Sequence, residues 1–158
     1  MRRPELACLI LLWSAHASAG DGVLEINQTC AVQTGCFSGD GAGLPVTIDG
    51  TAGRSYRLTS DLVVADANTD GITVGADDVS IDLSGFEIRG PVVCSGNPPS
   101  CSPATIGTGS GIEITASSIA GTSIRNGLIR GMGSHGASLG NQSEAIGLRA
   151  RSNRLSGI

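Results

Sequence analysis

Lysine is absent from this chain of 158 residues, and its positive charge rests on ten arginines. Fourteen acids outnumber them, for a formal charge of −4 at pH 7. A nucleic-acid partner is therefore not expected, because such a surface needs a basic excess to displace phosphate counterions. Aromatic side chains are scarce as well: one Trp, one Tyr and two Phe. A long sugar-binding cleft built on ring stacking has little to draw on. The only histidines are His16 and His135. With His16 in the leader described below, His135 stands alone, so neither a multi-histidine zinc site nor a catalytic triad is expected. Apolar runs are short: the run from Leu6 to Trp13 falls well below the roughly 20 residues of a membrane span, and no later stretch comes closer. No segment after it keeps a 3.6-residue apolar period over three turns, which argues against long helices.

What is present begins with an export signal. Met1-Arg2-Arg3, the apolar run and Ala17-Ser18-Ala19 follow the charged, apolar and small-x-small order of a signal peptide over 1–19, with a mature start at Gly20. The Arg2-Arg3 pair lacks twin-arginine flanks, and Cys8 has no apolar region before it to make a lipoprotein site. A secreted or periplasmic protein follows. Arg2, Arg3 and Glu5 leave with the leader, so eight arginines then face thirteen acids and the charge becomes −5. Cys30, Cys36, Cys94 and Cys101 remain, an even number that suits two bridges in an oxidising compartment. Three connectivities are open, with the local pairs Cys30–Cys36 and Cys94–Cys101 favoured by their short spacing. A zinc site is the rival, but neither pair is C-x-x-C and no histidine stands near.

Glycine, at 24 residues, suits short strands joined by tight turns. Period-two alternation appears in Val79-Ser80-Ile81-Asp82-Leu83, restarts after Ser84-Gly85 as Phe86-Glu87-Ile88-Arg89-Gly90, and returns in Ile146-Gly147-Leu148-Arg149-Ala150-Arg151, where both arginines point outward. The blocks also repeat. Gly71-Ile72-Thr73-Val74-Gly75-Ala76 returns as Gly111-Ile112-Glu113-Ile114-Thr115-Ala116, and Ser80 to Gly90 returns as Ser123 to Gly131. Gly147-Leu148 and Gly157-Ile158 read as further echoes, and Ile124 to Leu148 as a spacing of 24. The two main copies stand 40 residues apart, and removing 91–109 as a loop without strand pattern leaves a unit of about 21. Such a unit cannot bury its apolar face alone and must stack on its neighbours.

The blocks DGITVGADDVSIDLSGFEIRG and SIRNGLIRG resemble the right-handed parallel β-helix repeat proteins of bacteria, in the pectin-lyase-like superfamily. The resemblance covers about Tyr56 to Ile158 and implies an all-β solenoid. The domain reading is a signal peptide over 1–19, a disulfide-bearing capping segment over 20–55, and stacked units over 56–158 with a looped insertion at 91–109. Relatives of that kind include polysaccharide lyases, hydrolases, epimerases and adhesins. Its lyases pair calcium-binding acids with a basic residue, often arginine. Arg89, Arg125 and Arg130 are the outward bases here, and no motif matches a lyase site residue by residue.

Asp66, Asn68 and Asp70, followed by Gly71 and by Asp77, match the spacing of a calcium loop with Asp in the twelfth position. Calcium is the metal to expect if any binds; a solvated turn with these side chains on their own backbone is the other reading. Gly131-Met132-Gly133-Ser134-His135-Gly136 fits G-x-G-x-x-G but lacks the following helix and acid of a dinucleotide site. Asn126 and Asn153 read as stacking asparagines at bends, and Asp82 as an outward residue of a regular strand. Asp77-Asp78 would form an acid–base pair only from a turn, because adjacent strand residues face apart. Aligning the two Ile-Arg-Gly endings sets Arg89 and Arg130 about 4.8 Å apart on successive units. Either Glu87 or Glu113 neutralises them, or they form an anion site.

Two functions follow. One is a non-catalytic surface or extracellular interaction scaffold with a polysaccharide or cell-surface partner; the other is a carbohydrate-active lyase or hydrolase. The chain stops inside a repeat, at Arg154 to Ile158. Either it belongs to a longer protein, or two copies associate end to end across an exposed strand edge and apolar cross-section that includes Leu148, Ala150 and Ile158.

Overall fold

Short segments in which branched aliphatics alternate with polar residues form strands, because alternate side chains then reach one buried face. In the computed structural model, which describes residues 22–158, these strands are β1 (Leu24–Ile26), β2 (Val46–Ile48), β3 (Ser55–Leu58), β4 (Leu62–Val63), β5 (Ile72–Val74), β6 (Ser80–Asp82), β7 (Glu87–Arg89), β8 (Val93–Ser95), β9 (Ser100–Ser102), β10 (Ile112–Ile114), β11 (Ser123–Arg130), β12 (Ala137–Ser138) and β13 (Glu144–Arg151). One helix, α1 (Gln28–Gln33), follows β1. The expected leader and Cys8 lie outside the described residues.

Every pairing in the two larger sheets is parallel. The four-stranded sheet runs β2-β5-β10-β12. The seven-stranded sheet divides into two strips along β11, whose first half pairs with β6 and second half with β7. The first strip holds β1, β3, β6 and the first halves of β11 and β13; the second holds β4, β7 and the second halves. Each pass of the chain visits the four-stranded sheet, the first strip and the second strip in turn. Between strips the backbone bends through left-handed residues, Ser84 and Gly85 (φ 51° and 86°), Asn126 (58°) and Gly147 (60°), on three successive passes.

Register places like side chains over like. Val46, Ile72, Ile112 and Ala137 form one inward column, Tyr56, Ile81, Ile124 and Ala145 a second, and Leu62, Ile88 and Ile129 a third. Most of these aliphatics are wholly buried, and each contributes about 1.5–3 kcal/mol. Phe37 packs against Tyr56, ring centroids 5.0 Å apart.

Four expectations need correction. The parallel ladder begins before Tyr56, since β1 and β2 inside the expected cap pair with β3 and β5. The 91–109 segment is not a plain loop: β8 and β9 form an antiparallel hairpin, and Gly107 and Gly109 rejoin the stack, with the Gly107 N–H on Gly133 O at 3.1 Å and the Gly109 N–H on Ala67 O at 2.9 Å. A Cβ at Gly107 or Gly133 would strike Ala67 O, so the glycines of 131–136 serve close stacking. The echo Gly147-Leu148 is out of place, because Leu148 pairs with Gly127 and Ile124 with Ala145. The matching echo is Gly136-Ala137, with Ala137 on Ile112. Finally, the bend at Gly147 resets the alternation of β13. Ala145 then stands over Ile124, while Ile146 stands over Arg125 and is half exposed.

Candidate anion-binding face

Outward residues of the first strip alternate in sign. Glu25, Arg57, Asp82 and Arg125 are neighbours in register on β1, β3, β6 and β11, and Arg57 meets Glu25 at 2.6 Å and Arg125 meets Asp82 at 3.1 Å. Asp82 also accepts the Ser84 N–H at 2.7 Å and the Asn126 amide at 3.3 Å. Burial pushes its carboxyl up, but the Ser84 N–H, Arg125 and Asn126 outweigh that and hold it below the usual range.

The second strip is built differently. Its outward column reads Val63, Arg89, Arg130, Arg151 on β4, β7, β11 and β13, with three arginines on successive strands whose backbones lie about 4.8 Å apart. The adjoining column reads Glu87, Leu128, Arg149. Glu87 takes Arg130 through two bonds, Nε at 2.9 Å and Nη2 at 3.0 Å, and reaches Arg89 at 3.3 Å. The Arg130 bond, followed by the charges of Arg130, Arg89 and Arg151, holds the Glu87 carboxyl low against its burial. The same bond raises Arg130. Asp61, which accepts the Glu87 N–H at 2.9 Å, is the other acid at this end. Of the two carboxylates offered for the arginine pair, Glu87 is the partner; Glu113 lies on β10 in the other sheet.

A cleft of about 220 Å³ adjoins the column, lined by Arg130, Gly131, Arg151 and Ser152 on one side and Val92, Val93 and Cys94 on the other. The hairpin forms that second wall, and Cys94–Cys101 bridges its strands at positions directly opposite each other. Cys30–Cys36 joins α1 to the turn after it; the helix is capped by Asn27, whose side chain accepts the Cys30 N–H at 2.9 Å.

The calcium set is not assembled. Among the described residues no group of three Asp, Glu, His or Cys side chains could hold a metal. Asn68, Asp70 and Asp77 instead accept N–H groups of the next pass, from Thr108 at 3.3 Å, Ser110 at 2.7 Å and Ala120 at 2.9 Å, while Asp66 accepts the Asn68 N–H at 2.8 Å. Oxygen at alternate positions suits a column of backbone donors as well as a cation. The asparagines do not stack on each other: Asn126 bonds Asp82, and Asn153 accepts the Met132 N–H at 3.1 Å. A single histidine did not preclude a Ser–His contact, since His135 Nδ1 lies 2.6 Å from Ser156 Oγ. No acid bonds the other ring nitrogen among the described residues.

Sequence reading recognised Arg89 and Arg130 as neighbours and left Arg151 apart from them. Its signal was Ala150-Arg151-Ser152, a third relative of Ile-Arg-Gly with alanine and serine in place of isoleucine and glycine. No protein-family model, curated protein or solved structure matches the chain.

Proposed function

We propose that this chain is an exported right-handed parallel β-helix that acts as a non-catalytic interaction scaffold, presenting the Arg89–Arg130–Arg151 column to an acidic polysaccharide or cell-surface partner. The observation that carries the reading is that column, three like charges held in register on a chain of net negative charge. Like charges on adjacent strands oppose folding, so an external anion gains by relieving them. Parallel strands linked by crossovers favour the right hand, and alternate visits to two parallel sheets suit a solenoid. Two disulfides among the described residues, together with the leader, fit an oxidising compartment outside the cytoplasm.

Retention on an immobilised uronate polymer, compared with a neutral glucan, tests the proposal. The exported chain should be retained by the first and lose that retention when Arg89, Arg130 and Arg151 are all replaced by glutamine. Equal passage over both polymers overturns it. New ultraviolet absorbance from unsaturated sugar ends would replace the scaffold with a lyase.

A further inference from the structure

Glu87 and Arg130 form a step between adjacent passes, from β7 to β11, in which one carboxylate takes two guanidinium nitrogens. The same step taken one pass later begins at Leu128, which pairs in register with Glu87, and ends at Arg151, which pairs with Arg130. Leucine offers no carboxylate. Arg151 therefore holds the place of Arg130 without its acid, and neither Arg151 nor Arg149 has an ion pair among the described residues. Leu128 is half-buried and lies outside the apolar core cluster, so its replacement does not open the interior. The cleft walled by Val93 and the bridged Cys94 also touches Arg151, but neither Leu128 nor Arg149 lines it, so the Leu128 position is a separate surface.

We infer that the surface over Leu128 is a carboxylate seat, in which a ligand's carboxylate takes on Arg151 the position that Glu87 takes on Arg130. The inference rests on the proposed binding face and narrows it to one position and one chemical group. A planar guanidinium fork matches a carboxylate through two parallel bonds. Arg149, in register with Leu128 on the neighbouring strand, adds a second positive charge. A free small acid and a carboxylated chain bring the same chemistry.

The test titrates the exported chain with acetate and with a short uronate oligomer, followed by calorimetry. Saturation by the oligomer alone identifies a carboxylated chain as the source, saturation by acetate identifies a free acid, and both support the seat. Leu128→Glu should supply the absent carboxylate internally and weaken binding at least tenfold, whereas Leu128→Gln should stay within twofold of wild type. Arg151→Gln should also lose binding, and Arg125→Gln, on the other strip, should not. Independently of any ligand, Leu128→Glu should raise the melting temperature at low salt, and adding Arg151→Gln should remove the gain. Binding by Leu128→Glu at wild-type strength, equal loss in Leu128→Gln, or no saturable binding overturns the seat. Should Arg89→Gln weaken polymer retention while Arg151→Gln and Leu128→Glu leave it intact, the seat falls and the scaffold stands. If none of them affects retention, both fall.

Discussion

The two strips of the seven-stranded sheet share a strand, a pleat and an aliphatic interior, yet they treat charge in opposite ways. In the first, acid and base alternate from pass to pass and each neutralises its neighbour. In the second, arginine follows arginine, and Glu87 supports only one end of the column. An inward column is fixed by packing, which tolerates little change. The outward columns are under no such constraint, so they can differ in charge while the interior stays the same.

If the interior does not distinguish the strips, equal truncations should cost the same. Ile124→Ala in the first and Ile129→Ala in the second both remove wholly buried isoleucines. Each should lower stability by about 2–5 kcal/mol in urea denaturation, and the two should agree within about 1 kcal/mol. A far smaller loss at Ile129 would mean that the second strip is loosely packed and its arginine column an accident. Gly127 joins the strips within β11, and a Cβ there would strike the Leu83 side chain. Gly127→Ala should thus cost about 1–3 kcal/mol through overpacking, while Gly41→Ala, with open space around it, should cost almost nothing. Equality of the two would show that the strips are not held together through that bend.

Much of this ladder was legible because the second and third passes carry large aliphatics in the same order within similar short motifs, although the intervals between those motifs differ. Ile72 with Ile112, Ile81 with Ile124 and Ile88 with Ile129 were aligned by sequence, and those alignments are the observed registers. The fourth pass faded because Ala137, Ala145 and Ala150 stand where isoleucines stood before, and alanine gives little periodic signal. Gly147-Leu148 took its place only by resembling a glycine followed by a large aliphatic. At the site, Arg89 and Arg130 were visible as a repeat, but Arg151 required the register that this false echo had displaced. The calcium pattern misled for a related reason: a row of backbone N–H groups asks for oxygens at the same alternate positions as a cation does.

Acid separates the strips further. The carboxyls of Asp82 and Glu87 are both held below their ordinary values, 3.8 and 4.5. Lowered acids bind fewer protons in the folded than in the unfolded state, so their stabilisation is complete above those ordinary values and is lost as pH falls through the folded ones. Asp82→Asn and Glu87→Gln should each be less stable than wild type at pH 7, with the deficit shrinking below about pH 4. Glu87→Gln should show the larger pH 7 deficit, because it leaves Arg89, Arg130 and Arg151 with no carboxylate on their own strip's strands. A deficit that persists unchanged at pH 2.5 would show that shape rather than charge was lost.

The smallest effect is the most direct reading of the contrast, because its sign differs between strips. Arg57 sits between Glu25 and Asp82 in register, so Arg57→Gln removes attraction and should destabilise by about 0.2–1 kcal/mol, as exposed pairs do. Arg89 sits beside Arg130 in register and shares Glu87 with it at the longer distance of 3.3 Å, so Arg89→Gln removes repulsion together with the weaker half of a shared pair. Its effect should be zero or slightly stabilising at low salt. Raising the ionic strength to about 1 M shortens the screening length to about 3 Å, and both differences should then shrink toward zero from opposite sides. Melting curves of the two variants at low and high salt measure this directly. If Arg89→Gln destabilises as much as Arg57→Gln at low salt, Glu87 neutralises the whole column, and the second strip is as self-sufficient as the first.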